Sequence, residues 1–167
     1  IVGGSATGNK VQGNQIGNSI LGNTADGVVF DFGATANTIG GTAANAGNTI
    51  AKNGANGITI RGASNGNIIQ VNTIGGSAAN GNGGAGIWIL SGSNNVIGGS
   101  GGANIITFNG PGGAESGVIV LGGTGNTISR NNINSNSDLG IDLNAGGVTA
   151  NDTLDADSGP NNLQNFP

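Results

Sequence analysis

Gly57-Ile58-Thr59-Ile60-Arg61-Gly62-Ala63-Ser64-Asn65-Gly66-Asn67-Ile68-Ile69 is the stretch that decides the fold. Ile58 and Ile60 flank Thr59 in the period-2 alternation of a strand, and a Gly/Asn corner then leads into a second apolar pair. The first strand recurs after a Gly at Gly27-Val28-Val29-Phe30-Asp31-Phe32, Gly86-Ile87-Trp88-Ile89-Leu90, Gly117-Val118-Ile119-Val120-Leu121 and Gly140-Ile141-Asp142-Leu143-Asn144. Its second apolar position falls at Phe30, Ile60, Ile89, Val120 and Leu143, in steps of 30, 29, 31 and 23 residues. Val2, 28 residues before Phe30, fits as a further station. The chain is a repeat array.

Two further stations complete each unit. Asn-x-Ile elements follow at Asn37-Thr38-Ile39, Asn67-Ile68-Ile69, Asn95-Val96-Ile97 and Asn126-Thr127-Ile128, with Asn9-Lys10-Val11 in the same slot. A third apolar position comes at Ile16, Ile50, Ile74, Ile106 and Ile133, and longer gaps place extra loops at Thr42 to Gly47 and Gly99 to Ala103, one corner of alternate units. Three short strands per unit, each sending one side chain inward onto its equivalent in the next coil, define an all-β parallel solenoid. Residues 1–145 are read as about five coils, a rod of roughly 24 Å, and residues 146–167 as an acidic C-terminal segment.

The composition suits this reading. The 167 residues include 37 Gly and 28 Asn, the residues that adopt positive φ most cheaply at corners. The 19 Ile supply stacks of β-branched side chains, which pack well on a pleated ladder. Repeated Asn at one corner (Asn37, Asn67, Asn95, Asn126) suits an amide ladder, and the Asn-Gly pairs at 53, 56, 65, 80, 82 and 109 read as turn formers.

The stretch from Gly57 to Ile69 resembles the right-handed parallel β-helix repeats of pectate-lyase-like bacterial proteins, over roughly residues 1–145. Gly140-Ile141-Asp142-Leu143, with Asn151-Asp152, Asp155 to Asn161 and Leu163 to Pro167 after it, is similar to a segment of large secreted or surface β-helix proteins of bacteria. The resemblance implies an extracellular or cell-surface location. It leaves the function open, since lyases, hydrolases, epimerases, adhesins and spikes share the fold. Rival solenoids fit less well: spacing breaks a hexapeptide repeat, and eight acids are too few for a calcium roll.

Composition excludes several chemistries. Without His or Cys, a zinc-finger site, a thiol nucleophile and a Ser-His-Asp triad fall away. Four Lys+Arg against eight Asp+Glu give no basic footprint for nucleic acid, and no apolar run is long enough for membrane insertion as a helix. The opening Ile1-Val2-Gly3-Gly4 matches the mature start of trypsin-like proteases only by chance, given the missing His.

What remains is one face and one tail. By alternation, Val29, Thr59, Trp88, Ile119 and Asp142 point outward in one column, and Asp31, Arg61, Leu90, Leu121 and Asn144 form the next. Trp88, Leu90, Ile119 and Leu121 are expected to make a contiguous apolar interaction patch. Trp88, Arg61 and Asp31 would contact a sugar if the face bound polysaccharide. The catalytic set that the resemblance would ask for, clustered Asp for calcium with an Arg base, shrinks to Asp31 and Arg61. Asp31 and Asp142 would lie roughly 19 Å apart, too far for a glycosidase pair. In the tail, Asp152, Asp155, Asp157 and Asn161 resemble an oxygen-ligand loop for calcium, against the plainer reading of an acidic turn that closes the solenoid. The first coil starts inside a strand, without a capping helix, so another copy or more of the parent chain is expected there. The reading is a structural, self-associating module, with a carbohydrate-active β-helix as the alternative.

Overall fold

The computed structural model describes residues 1–17, 22–148 and 159–163. Among the described residues, fifteen short strands build three parallel sheets of five strands each. The first sheet stacks β1 (Lys10–Val11), β4 (Thr38–Gly40), β7 (Ile68–Gln70), β10 (Val96–Gly98) and β13 (Thr127–Ser129). The second stacks β2 (Gln15–Ile16), β5 (Thr49–Ile50), β8 (Thr73–Gly75), β11 (Ile105–Thr107) and β14 (Asn132–Asn134). The third stacks β3 (Val28–Phe30), β6 (Ile58–Ile60), β9 (Ile87–Ile89), β12 (Val118–Val120) and β15 (Ile141–Leu143). Each turn of chain adds one strand to each sheet. This is a parallel β-solenoid.

The registers agree with the apolar stations. Phe30 pairs with Ile60, Ile60 with Ile89, Ile89 with Val120 and Val120 with Leu143. Val11, Ile39, Ile69, Ile97 and Ile128 form the second stack, and Ile16, Ile50, Ile74, Ile106 and Ile133 the third. The central members of all three stacks are sealed from solvent, with Phe30, Ile39, Ile50, Ile60, Ile69 and Ile74 at 0 % exposure. Burying such a side chain contributes roughly 1.5–3 kcal/mol, so a strand of two or three residues holds only because its neighbours complete the core. The loops at 42–47 and 99–103 enter where expected, between the first and second sheets.

One station is out of register. Val2 bridges Asp31, not Phe30, and is 63 % exposed, whereas Ile1 packs against the core. A shift of one residue reverses every side chain of a strand, so the inward residue of this coil is Ile1.

Asparagine ladders run the length of all three corners. At the first, Nδ2 donates to the next coil's Oδ1 from Asn9 to Asn37, Asn67, Asn95 and Asn126, at 2.8–3.1 Å. The second runs Asn14, Asn48, Asn72, Asn104, Asn131 and the third Asn23, Asn53, Asn82, Asn109, Asn136. Asn53, Asn82 and Asn109 are therefore buried rungs, not surface turn formers. Most rungs follow a residue in the left-handed conformation, even one with a side chain: Ala36, Lys52, Val71, Asn94, Phe108, Arg130 and Ser135 have φ between 54° and 61°. That conformation costs an L-residue roughly 1–2 kcal/mol, and the rung's buried hydrogen bonds offset it.

Candidate functional site

The outer face of the third sheet carries the side chains singled out in the sequence. Strand pairing sets Val29, Thr59, Trp88, Ile119 and Asp142 in one column. Equivalent main-chain bonds from Asp31, Arg61, Leu90, Leu121 and Asn144 to the preceding coil define the neighbouring column. The face is more closed than alternation alone implies. Thr59, Ile119 and Asp142 are 2 %, 7 % and 4 % exposed, while Trp88 and Leu121 are half-buried and Leu90 is open. The Asn56 Nδ2 reaches Thr59 Oγ1 at 3.2 Å, and Gly147 N–H donates to Asp142 Oδ2 at 3.2 Å, so local chain lies against the column at Thr59 and at Asp142. The four apolar residues lie on adjoining coils, but Ile119 is beneath the surface.

Asp31 and Arg61 meet across one coil step. Arg61 Nε donates to Asp31 Oδ2 at 2.7 Å, and Phe32 N–H donates to Oδ1 at 2.7 Å. The carboxylate is nearly enclosed, whereas the guanidinium is about half exposed (9 % and 48 % of the side chains). Burial raises the Asp31 pKa, but the Arg61 hydrogen bond, the Phe32 N–H and the positive charges of Arg61 and the N-terminus together outweigh it, leaving the carboxyl below its ordinary 3.8. A carboxylate with a lowered folded pKa stabilises the fold above its unfolded value, and that contribution fades as pH falls below 3.8 through the folded value. In Arg61→Ala the opposition to burial is weakened, so an NMR titration is expected to place the Asp31 midpoint higher than in wild type. An unchanged midpoint would show that Arg61 does not hold it down. The loss of stability at neutral pH should be modest, because the guanidinium is half in water.

Among the described residues, three buried side-chain atoms have no hydrogen-bond partner: Trp88 Nε1, Asp142 Oδ1 and, in the corner leading into β12, Ser116 Oγ. Asp31 and Asp142 sit at opposite ends of the third sheet and are not brought together. Of the tail, Asp152, Asp155 and Asp157 lie outside the described residues. Asn161 is described, and its Oδ1 accepts the main-chain N–H of Asn126 at 2.7 Å, while its Nδ2 donates to Asn126 O at 3.0 Å. No group of three or more His, Cys, Asp or Glu that could hold a metal occurs among the described residues.

A second feature was not foreseen. A half-open cleft of about 270 Å³ lies at the β13/β15 end, lined by Asn126, Thr127, Ile128, Ile141, Leu143 and Asn161. Its floor is the end of two core stacks, and its rim is the end of the first ladder. Asn161 stands 35 residues beyond Asn126, outside the 28–31-residue steps between the earlier rungs, so the repeat gave no signal for it.

Parallel sheets of equal strand number, stacked Ile and continuous Asn ladders define a β-solenoid protein. The family model for the right-handed beta helix region matches residues 38–156, about seven-tenths of the chain, and the chain belongs to that family. No curated protein and no solved structure matches it.

Proposed function

We propose that this chain is a structural, self-associating solenoid module, working at the outside of a bacterial cell as part of a surface or filament protein. The observation that carries this reading is the repeating edge. Each coil offers its neighbour three parallel strands and three amide rungs, and among the described residues β14 and β15 pair on one side only. Such an edge is a template for another coil. The polar residues that a catalytic face would need are engaged in holding the fold: Asp31 by Arg61 and Phe32, Asp142 Oδ2 by Gly147. Sedimentation and negative-stain electron microscopy of the purified chain are expected to show concentration-dependent dimers or short rods. A strict monomer at high concentration would overturn the reading.

A second reading, polysaccharide binding on the outer face of the third sheet, is supported by the half-buried Trp88 beside Leu90 and the half-exposed Arg61. Incubation with pectin or alginate and calcium would quench Trp88 fluorescence, and unsaturated products would indicate a lyase. Silence in both measurements removes this reading.

A further inference from the structure

Six Asn-Gly pairs stand in the corners, with Asn at 53, 56, 65, 80, 82 and 109. Asn-Gly favours deamidation, because glycine has no Cβ to hinder its nitrogen from reaching the preceding side chain. The reaction needs two freedoms: an Asn side chain that can turn toward the next main-chain N–H, and an N–H not held elsewhere. Five of the pairs have neither. Asn53, Asn82 and Asn109 are ladder rungs, and the N–H groups of Gly54, Gly83 and Gly110 donate to Asn23 O, Asn53 O and Asn82 O at 2.7–2.9 Å. Asn56 Oδ1 accepts from Ala85 N–H, its Nδ2 donates to Asp26 Oδ1, and Gly57 N–H donates to Ala85 O. Asn65 is only half-buried, yet its Oδ1 accepts from Ser93 N–H at 2.6 Å and Gly66 N–H donates to Ser93 O at 3.0 Å.

Asn80 differs on both counts. It is half-buried and closes the turn that starts at Ser77, its N–H donating to Ser77 O at 2.9 Å. Among the described residues, neither its side-chain amide nor the N–H of Gly81 has a hydrogen-bond partner. The carbonyl of the same peptide unit is engaged, since Asn80 O accepts from Lys52 N–H at 2.9 Å. That bond polarises the unit and makes its free N–H more acidic.

We propose that Asn80 is a site of spontaneous deamidation, the Asn-Gly pair of the six that the fold leaves reactive. Hydroxide takes the Gly81 amide proton, and the nitrogen forms a bond to Asn80 Cγ. The Cγ–Nδ2 bond breaks, and the amide nitrogen is protonated and leaves as ammonia. Water then opens the resulting succinimide at either carbonyl, to aspartate or to isoaspartate. Both products add a negative charge to a chain of net charge −4. Isoaspartate also routes the main chain through an extra carbon just ahead of the Asn82 rung, whose Oδ1 receives Asn53 N–H and Nδ2.

The test incubates the folded chain and the chain in concentrated urea at mildly alkaline pH. Digestion and electron-transfer fragmentation then follow the aspartate and isoaspartate formed at each of the six positions. In the folded chain Asn80 is expected to react at least about tenfold faster than each of the other five, because reaction there requires at least two hydrogen bonds to open. In urea the six rates are expected to converge. Asn80→Ser, which removes a side chain without a bond among the described residues, is expected to abolish the fast ammonia release of the folded protein. If that variant does not fold, the site-by-site rates of wild type decide alone. Another pair reacting as fast as Asn80 in the folded chain would overturn the proposal. So would a folded chain in which Asn80 stays intact while the unfolded chain reacts, or a lead for Asn80 that persists undiminished in urea.

Discussion

Asn67→Asp is expected to cost about 3–5 kcal/mol at neutral pH, a loss typical of a buried charge left without a partner. Asn67 is sealed from solvent, and its amide uses all four of its hydrogen-bonding places. Oδ1 accepts from the N–H and Nδ2 of Asn37, and Nδ2 donates to Ala34 O and Asn95 Oδ1. A carboxylate keeps the two acceptances and loses both donations. It also sets a negative oxygen against two other oxygens in a site sealed from solvent. Domains of this size are stable by only about 5–15 kcal/mol, so one rung would remove a large share. The sign of the pH dependence follows from burial. The introduced carboxyl is raised above its ordinary value, so the folded state binds the proton more readily and the deficit against wild type shrinks as pH falls. Urea unfolding of both proteins from neutral to acid pH would measure this. A deficit under 1 kcal/mol, or one independent of pH, would show that the rung's donors contribute little.

How far the ladders could be read from the sequence depends on the corner. At the first corner Asn always stands two residues before the inward Ile or Val, and this repetition made the ladder legible. The second corner carries the same signal, in Asn14-Gln15-Ile16, Asn48-Thr49-Ile50, Asn72-Thr73-Ile74, Asn104-Ile105-Ile106 and Asn131-Asn132-Ile133, but there the recurring Ile is the more conspicuous mark of the repeat. At the third corner Asn53, Asn109 and Asn136 each follow the Ile by three residues, whereas Asn82 follows Ile74 by eight. That insertion hid the period, and the Gly that follows each of Asn53, Asn82 and Asn109 suggested turns. The inward stacks were legible because Ile and Val recur at fixed steps and large apolar residues have one place to go in a narrow coil. The slip at Val2 arose where Ile1 and Val2 are both apolar, so that alternation cannot choose between them.

The outer face was legible in direction and not in depth. Period 2 establishes that Ile119 and Asp142 point away from the core, but not that the chain at Gly147 folds back to donate to Asp142. The Asp31–Arg61 pair was expected from one coil step, yet its carboxylate is nearly enclosed because Phe32 turns left-handed (φ 51°) and brings its N–H to Oδ1. The same limit hid Asn161, whose place on the first ladder depends on how the chain returns to the β13 edge. A repeat pattern predicts what repeats, and these contacts occur once.

Gly75→Ala is expected to cost about 3 kcal/mol or more, against about 1 kcal/mol for Gly66→Ala, and the contrast separates two reasons for glycine at a corner. Both residues have positive φ, 94° and 63°, so both substitutions carry the conformational penalty of an L-residue there. At Gly66 a Cβ would meet nothing within 4 Å. At Gly75 it would collide with the carbonyl oxygen of Thr107, its pairing partner in the next coil, and lie 2.9 Å from Asn109 Oδ1. That carbonyl cannot easily retreat, since it accepts from Gly76 N–H and Asn109 Nδ2, both at 3.2 Å. Overpacking against a fixed backbone adds roughly 1–3 kcal/mol, and here the displaced atoms include a rung of the third ladder. Gly40 and Gly98 stand against Gln70 and Ser129 carbonyls in the same way, so the rule extends to the first sheet. Equilibrium unfolding of the two variants would decide the matter. Equal losses would mean that φ alone places these glycines, and that the spacing between coils has room for a methyl group. A larger loss at Gly75 would mean that coil spacing, set by the ladders and strand pairs together, dictates where this chain can carry side chains at all.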